Sequence, residues 1–483
     1  MPPPPPLPPL YHSPSSSPLH SHSDTHSSQS RLANQTAMAV ENGKAAMAVT
    51  VTGTRTVAPA KTKVTLATFD LPYITFYYNQ KLLLYRLAPG AGDFQDVTGR
   101  MADALGDALA YFYPLAGRIR QEKGEGGALY VDGEEGVEVV EAAAEGVSID
   151  ELAGEACGEE AEKLMQQLIP YTGVMNLEGL HLPLLSVQFT KLKDGLAVGC
   201  AFNHAVLDGT ATWHFMTSWA ELSRGAAAPS VLPIHNRSMA RSVRVGLTLP
   251  ASAEAHEATD PNGPKKPLVA RVFSFPEDTV ARIKAAANSV LPPGAKPFST
   301  FQSLGAHIWR AVSRARGLGP ADITVFAVFA DCRARLDPPV PAAYFGNLIQ
   351  AVFTGVPAGM LLGGPPELAA GMLQKAIDEH DAAAVTRRLD EYEAAPKLFH
   401  YSDAGPNCVA VGSSPRFRVY DVDFGFGKPE RVRSGGNNKF DGMVYLYPGR
   451  GGGSGGIDVE LALQPEPMQN LEKDGEFLQV ATA

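Results

Sequence analysis

Cysteine is scarce in this sequence, with 4 in 483 residues (Cys157, Cys200, Cys332 and Cys408), and no two of them form a CxxC pair. Such spacing disfavours a disulfide framework or a zinc site and fits a reducing, cytosol-like compartment. Long apolar runs are also lacking. The run ITVFAVFA (323–330) is strand length, well short of the ~18 residues that would suggest a transmembrane helix. Positive charge is in deficit, with 41 Lys and Arg against 51 Asp and Glu and a net charge of −10. With a pI near 5.7, that balance argues against nucleic acid or an anionic membrane as the main partner. HExxH, Walker A and clustered zinc ligands are absent from the sequence.

What is present is a globular composition, 45% hydrophobic with a mean hydropathy of −0.08. A chain of this length can bury a large core and has room for two or three domains. Its opening differs in kind. From MPPPPPLPPLYHSPSSSPLH onward it is rich in Pro, Ser and His and has almost no hydrophobic periodicity. The Pro run favours extended polyproline II, and the segment buries too little to offset its ordering entropy. It lacks the charged and apolar regions of a secretory signal, although a Ser-rich, acid-poor start also suits a plastid transit peptide. The reading adopted is a low-complexity, disordered tail over residues 1–60, with Met38 and Met47 as alternative starts and a cytoplasmic location.

From about Val64, strand and helix patterns alternate. YITFYY (73–78) is aromatic and β-branched and predicts a strand. Met101, Leu105, Leu109 and Phe112 recur at helical spacing until Pro114. ALYVDGEEGVEVVEA predicts two strands around an acidic turn, and 184–190 with 196–202 predict a paired hairpin. Trp213, Phe215, Met216, Trp219 and Leu222 then form the wide apolar face of a helix from about Thr210. Residues 236–267 turn polar and lose their period, which marks a crossover linker. Beyond it come a strand at 270–275, helices from Glu277 and Thr300, the strand ITVFAVFA, and a hairpin of MVYLYP with IDVELAL. The expectation is an α/β protein with lobes at 61–235 and 268–483.

One pattern stands where chemistry is usually placed: His204-Ala-Val-Leu-Asp208-Gly209, between a buried-looking strand and a helix. Its spacing alone is weak. His20 with Asp24 and His256 with Asp260 repeat it in polar stretches where nothing would exclude water. Position distinguishes His204, since an imidazole at the edge of a core, over rigid elements, can exchange protons. The plain alternative is a core histidine bonded to backbone. Asp423-Phe424-Gly425-Phe426-Gly427-Lys428-Pro429, after an expected strand at 417–422, reads as a turn with close backbone approach rather than a phosphate cradle. Asp331-Cys332-Arg333-Ala334-Arg335 supplies two arginines able to pair with Asp208 or with a ligand phosphate. Residues 452–456 satisfy GxSxG and 451–456 satisfy GxGxxG, yet both fall in a hairpin loop without a strand-to-helix context.

Taken together, HAVLDG, DFGFGKP, STFQSLGAHIWR, DCRAR, YFGN and FYPLAGR resemble the plant BAHD acyl-CoA-dependent acyltransferases, from about Val64 to the C-terminus. The resemblance implies two similarly folded lobes of the chloramphenicol acetyltransferase type around a central solvent channel. Acyl-CoA would enter on one face and a hydroxylated acceptor on the other. It further implies acyl-CoA as co-substrate, no permanently bound cofactor, no metal and a monomer. Carried onto this sequence, the resemblance makes His204 the general base, mostly neutral at cytosolic pH and able to take a hydroxyl proton. Asp208 would point away from the channel and pair with Arg333 or Arg335, and Gly209 would let the backbone pass close to the reaction centre. Asp423, Gly425, Phe426 and Gly427 would support the lobes from a distance. Arg333, Arg335, Lys428, Arg431 and Arg433 form a basic set for CoA phosphates.

Two positions depart from the family pattern. Phe426 stands for a usual Trp, and Gly412-Ser413-Ser414 for a usual Thr-Ser-Trp, leaving Ser413 or Ser414 as candidate oxyanion or channel donors. Loss of two indoles suits a wider channel and an aliphatic substrate. FDLPYITFYYNQK, AFNHAVLDGTATWHFM and DFGFGKPE resemble most the branch of the family concerned with cutin, which implies acyl transfer involving hydroxylated fatty acids. The alternatives are a hydroxycinnamoyl- or benzoyl-CoA transferase acting on phenolics or amines, and a non-catalytic scaffold of the same fold.

Overall fold

Two six-stranded sheets bury the alternating apolar patterns of the two halves. The computed structural model describes residues 49–478, apart from 58–62, 88–91, 125, 134, 155–158, 261–266, 451 and 453–454. The amino-terminal half contributes β1 (Thr50–Val57), β2 (Val64–Thr65), β3 (Asn79–Arg86), β4 (Arg118–Gln121), β5 (Leu129–Asp132), β6 (Val137–Ala144), β7 (Leu185–Leu192) and β8 (Gly195–Phe202). Five of these run in the order β1-β6-β7-β8-β3, while β2, β5 and β4 form a separate small sheet. Every residue of β8 is buried. That explains a run apolar throughout instead of alternating. The helices Phe94–Tyr111 and Gly209–Ser223 pack their apolar faces together, and buried Trp219 donates its indole N–H to Met101 O at 2.8 Å.

The carboxy-terminal half supplies β9 (Val269–Phe275), β10 (Ile323–Asp331), β11 (Ile349–Pro357), β12 (Cys408–Val411), β13 (Arg431–Ser434), β14 (Met443–Pro448) and β15 (Ile457–Leu463). All but β13 make the second sheet, in the order β11-β10-β12-β14-β15-β9. The strand β13 instead pairs antiparallel with β3, Val432 opposite Leu83, and so completes the first sheet. Helices Glu277–Asn288 and Thr300–Ala315 enclose Trp309, Val444 and Leu446 in a core of their own. A second core joins Leu83 and Val198 of the first sheet to Tyr445 of the second. No helix among the described residues is long and apolar enough to cross a membrane. Cys200, Cys332 and Cys408 are free and buried; Cys157 lies outside the described residues.

Several local expectations change. YITFYY is not a strand: Pro72 opens a 3-10 turn, Leu71–Tyr73, and the pairing strand starts at Asn79. Apart from one isolated bridge, Tyr77 with Met175, asparagine side chains bond its backbone. Asn176 Nδ2 donates to Tyr73 O at 2.8 Å, and Asn438 both accepts from Tyr77 N at 2.9 Å and donates to Tyr77 O at 2.8 Å. Residues 417–422 hold a 3-10 turn, Val419–Asp421, in place of the expected strand. The stretch read as a disordered tail contains β1, paired with β6, while residues 1–48 lie outside the described residues. In the crossover, Ser252 caps a short helix, Ala253–Glu257. His256, placed by its polar neighbours in solvent, is 6% exposed there.

Candidate active site

His204 sits in the turn between β8 and the helix Gly209–Ser223. Its N–H donates to Asn176 Oδ1 at 2.9 Å, and its carbonyl accepts from Asn347 Nδ2 at 2.8 Å. The imidazole stacks on Tyr73, with centroids 4.7 Å apart and planes 11° off parallel, and Phe76 meets it edge-on at 6.2 Å. Tyr73 is itself fixed, its hydroxyl donating to Ile349 O at 3.1 Å. The ring is thus positioned by protein contacts alone, as a preorganised group needs. His204 is half-buried, and its Nδ1 is enclosed without a partner in hydrogen-bond geometry. Burial pushes its pKa below 6.5 and the charge of Lys81 acts in the same sense, against an imperfect contact with its own backbone and the charge of Asp208.

Asp208 is turned away from that ring. Its Oδ1 accepts from Ala211 N at 3.0 Å, capping the helix, and from Arg333 Nη2 at 3.1 Å. Its Oδ2 accepts from Arg333 Nη1 at 2.8 Å and from Leu348 N at 2.9 Å. The four lone-pair directions of a carboxylate are then taken, leaving none for His204. Arg333 spends its remaining reach on Asp331 Oδ1, Tyr344 O and Gly346 O, all at 3.2 Å. Arg335 donates to Ile377 O and His380 O instead, at 2.9 and 2.7 Å, so Arg333 is the partner of Asp208.

Residues that the motifs did not signal complete the frame. Asp70 Oδ1 accepts from both Asn347 N and Asn347 Nδ2, at 3.1 and 3.0 Å, and Asp70 pairs with Arg237 at 3.3 Å. Arg237 donates to Val206 O at 2.9 Å and to Phe345 O. Asn176 and Arg237 stand in no motif, whereas Asp70 lies within FDLPYITFYYNQK and Asn347 within YFGN.

A Cβ at Gly209 would come within 2.9 Å of Phe417 Cζ, so the close approach there is that of a ring. Ser413 and Ser414 lie in the loop from β12 to Phe417, and Ser414 Oγ accepts from Arg416 N at 3.3 Å. Asp423 Oδ1 accepts from Gly425 N and Gly427 N at 2.8 and 3.0 Å, and both glycines need a positive φ, +102° and +114°. The carbonyls of Asp423 and Phe424 are held by Arg224 and Ser223 at the helix end. Phe426 packs edge-on against Tyr85 at 5.2 Å, and Tyr85 faces Leu196 at the end of β8 away from His204. Phe426 therefore fills space beneath its turn and does not widen a channel at His204. The basic set is also corrected. Arg333 is buried with Asp208, Arg431 with Asp458 at 3.2 Å, and Arg433 with Glu460 at 3.5 Å. Exposed Lys428 pairs with Asp421 at 3.1 Å.

A cavity of about 1710 Å³ opens beside this site, its walls including Thr75, Tyr77, Phe399, Tyr401 and Lys439. Phe76 connects the two, its ring 4.7 Å from that of Phe399 and 5.8 Å from that of Tyr401 while its edge meets His204. Among the described residues, no three His, Cys, Asp or Glu side chains gather as a metal site would require.

The two mixed sheets form a fold shared with solved structures. Vinorine synthase matches with a TM-score of 0.70 and 22% identity, over 90% of this chain and 98% of that one. TRI101 of F. sporotrichioides, solved with coenzyme A and T-2, matches with a TM-score of 0.72 and 21% identity, over 87% of this chain and 99% of that one. In sequence, the profile of the Transferase family matches residues 47–478. The chain is 53% identical over 429 residues to BAHD acyltransferase DCR of Arabidopsis thaliana, covering 86% of this chain and 88% of that protein. It is 31% identical to hydroxycinnamoyl-CoA:5-hydroxyanthranilate N-hydroxycinnamoyltransferase HHT4 of Avena sativa, covering 80% of this chain and 87% of that one. The chain belongs to the Transferase family and is a BAHD acyltransferase.

Proposed function

We propose that the protein transfers the acyl group of an acyl-CoA to an acceptor hydroxyl with His204 as general base, and that it acts on hydroxylated fatty acyl substrates in cutin formation. The observation that carries the mechanism is the placement of His204: a ring held by Tyr73, Asn176 and Asn347, disfavoured in its charged form, with Nδ1 enclosed. Nε2 is then the nitrogen left for substrate. It takes the hydroxyl proton as the oxygen attacks the thioester carbonyl. A C–O bond forms, the tetrahedral oxyanion collapses, the C–S bond breaks, and the proton returns to the departing thiolate. Ser413 or Ser414 donates to the oxyanion, and Asp208 with Arg333 keeps the loop in place. Relatives of the fold solved with coenzyme A support a CoA thioester as donor.

The aliphatic substrate rests on the resemblance of the His204 and Asp423 segments to the cutin branch, and on small residues at 412–414 where the family carries bulk. Residues 61–235 and 268–483 make up most of the two lobes, β1 and β13 adding to the sheet of the first, with 236–267 as crossover, in a cytoplasmic monomer. A second reading, hydroxycinnamoyl transfer to amines or phenolics, is supported by the names of relatives such as the Avena sativa enzyme. Purified protein offered a panel of aliphatic and hydroxycinnamoyl thioesters, with alcohols and amines, tests both. His204→Ala should abolish transfer, and initial rates should show an intersecting, sequential pattern. Retained turnover in that variant, or ping-pong kinetics, overturns the mechanism, while a clear phenolic preference overturns the substrate.

A further inference from the structure

Two buried polar atoms beside the reacting ring are each left without a partner. One is Nδ1 of His204; the other is Oδ1 of Asn347, a side chain with 0% exposure. Native interiors seldom leave such groups unpaired, because each gives up its bonds to water on burial. Both belong to one contact, since Asn347 Nδ2 donates to the carbonyl of His204 itself at 2.8 Å. The amide is also held in one sense. Nδ2 donates to Asp70 Oδ1 at 3.0 Å, and the same oxygen takes Asn347 N at 3.1 Å. Asp70 is pinned in turn through Oδ2, by Ala67 N at 2.9 Å and Arg237 at 3.3 Å. Turned over, the amide would set its oxygen against the Asp70 carboxylate and the His204 carbonyl, which are both acceptors.

Oδ1 therefore stays an acceptor beside the residue that carries the base. The rival acceptor for Nδ1, the carbonyl of His204, already takes Asn347 Nδ2, and the ring meets it only imperfectly. Burial has the largest effect on the His204 pKa, lowering it, and the Asn347 side chain opposes burial as an acceptor for a ring N–H would. We propose that Asn347 Oδ1 accepts Nδ1–H of the neutral imidazole and fixes the tautomer whose Nε2 carries the free lone pair, with Asp70 orienting the amide. Contacts of this kind are often poorly aligned without substrate and tighten in the reactive complex. The proposal rests on the acyl-transfer reading above and deepens it. A general base must present a bare nitrogen to the substrate hydroxyl, and the bond made by the other nitrogen decides which one is bare. When Nε2 takes the hydroxyl proton, the ring carries two N–H groups and the bond to Asn347 is kept. Return of the Nε2 proton to the thiolate restores the same tautomer. Asn347 is then a positioning residue, acting on the substrate only through His204.

¹⁵N NMR of protein labelled at histidine reads the tautomer directly, and the spectrum of His204→Gln identifies the signal. With the ring neutral, the wild type should hold the Nδ1–H form over the Nε2–H form by roughly tenfold, the worth of one buried hydrogen bond. Asn347→Leu, which has no acceptor, should lose that preference, while Asn347→Asp, which keeps one, should retain it. An Asn347 that served only the packing would lower stability in the first variant and leave the tautomer where it was. An Nε2–H ring in the wild type, or a preference unchanged in Asn347→Leu, overturns the proposal. If Asn347→Leu does not fold, a crystal structure of the wild type with coenzyme A decides. Nδ1 within about 3.2 Å of Asn347 Oδ1 supports the contact, and a longer separation overturns it. Wild-type protein that holds this tautomer yet transfers no acyl group would instead remove the acyl-transfer reading and leave the Asn347 contact standing.

Discussion

The carboxylate of Asp208 and the guanidinium of Arg333 meet at two points, Oδ2 to Nη1 at 2.8 Å and Oδ1 to Nη2 at 3.1 Å, with Asp208 wholly buried. Asp208 caps the helix that begins at Gly209, and Arg333 follows β10 of the second sheet. One ion pair therefore locks the turn carrying His204 to the opposite half of the chain. In the proposed mechanism the histidine and the aspartate of the motif have separate tasks, proton transfer for one and geometry for the other.

Breaking that pair strands a buried charge. Arg333→Met should destabilise the protein by roughly 3–5 kcal/mol, the usual cost of removing one partner of a buried pair. Asp208→Asn, which can still cap the helix through its carbonyl oxygen, should cost less. Urea unfolding of the three proteins checks the order. Equal midpoints for wild type and Arg333→Met would show that the pair does not hold the turn.

The pH dependence of transfer should report His204. Burial disfavours the imidazolium, so the folded pKa lies below 6.5. The active, neutral form is then complete at neutral pH, and kcat/KM should fall only as pH drops through a half-point below 6.5. Removing the positive charge at Lys81, which acts in the same direction, should move the half-point upward. A wild-type half-point at or above 6.5 would contradict this account of the site.

What the amino-acid sequence alone makes legible follows a physical line. Long periodic elements were read to within a few residues: the β7–β8 hairpin, the helices from Gly209 and Thr300, and the strand at Ile323 all follow from burial acting on repeated apolar spacing. YITFYY misled because its aromatics pack at separate places, Tyr73 on His204, Tyr78 on Tyr171, and Phe76 and Tyr77 on Tyr401, with backbone partners supplied by Asn176 and Asn438, which lie 100 or more positions away. His256 misled for a similar reason. Its sequence neighbours are polar, but its ring stacks on His400 at 4.2 Å and its Nε2 bonds Phe399 O at 2.9 Å. The choice of Arg333 over Arg335 depended on direction, which spacing does not carry. Lys81 closes the FDLPYITFYYNQK segment, but a lysine in a strand reads as an exposed edge until its neighbours are known.

Gly209 and Phe417 should be energetically coupled. A methyl at Gly209 would press on the Phe417 ring at 2.9 and 3.0 Å, closer than side chains tolerate. Gly209→Ala should cost about 1–3 kcal/mol by overpacking. Phe417→Leu should recover part of that cost in the double variant, because the shorter side chain clears the contact. A thermal-unfolding double-mutant cycle measures the coupling. Strictly additive effects would mean that the glycine is needed for a reason other than this ring.

Glu460 should make the acid limb of stability steep. Its pKa is lowered to about 2 despite full burial, by Lys439 first, then Arg433 and the bonds from Ser434. A carboxylate whose folded pKa lies below its ordinary 4.5 contributes stability that is complete above 4.5. That contribution is lost as pH falls from there toward about 2, since the unfolded chain binds the proton first. Glu460→Gln should therefore cost a few kcal/mol near neutrality, leaving Lys439 and Arg433 without their shared anion. The gap to wild type should narrow steadily below about 4.5. Lys81 gives a slope of the same sign at the other end of the scale. Burial lowers its pKa from 10.5 to about 8, so the folded protein sheds that proton before the unfolded chain does. Wild-type stability should accordingly gain on Lys81→Met as pH rises from about 8 toward 10.5. Chemical unfolding across both ranges reads the two effects together. A pH-independent gap for either variant would place that side chain in solvent in the working protein.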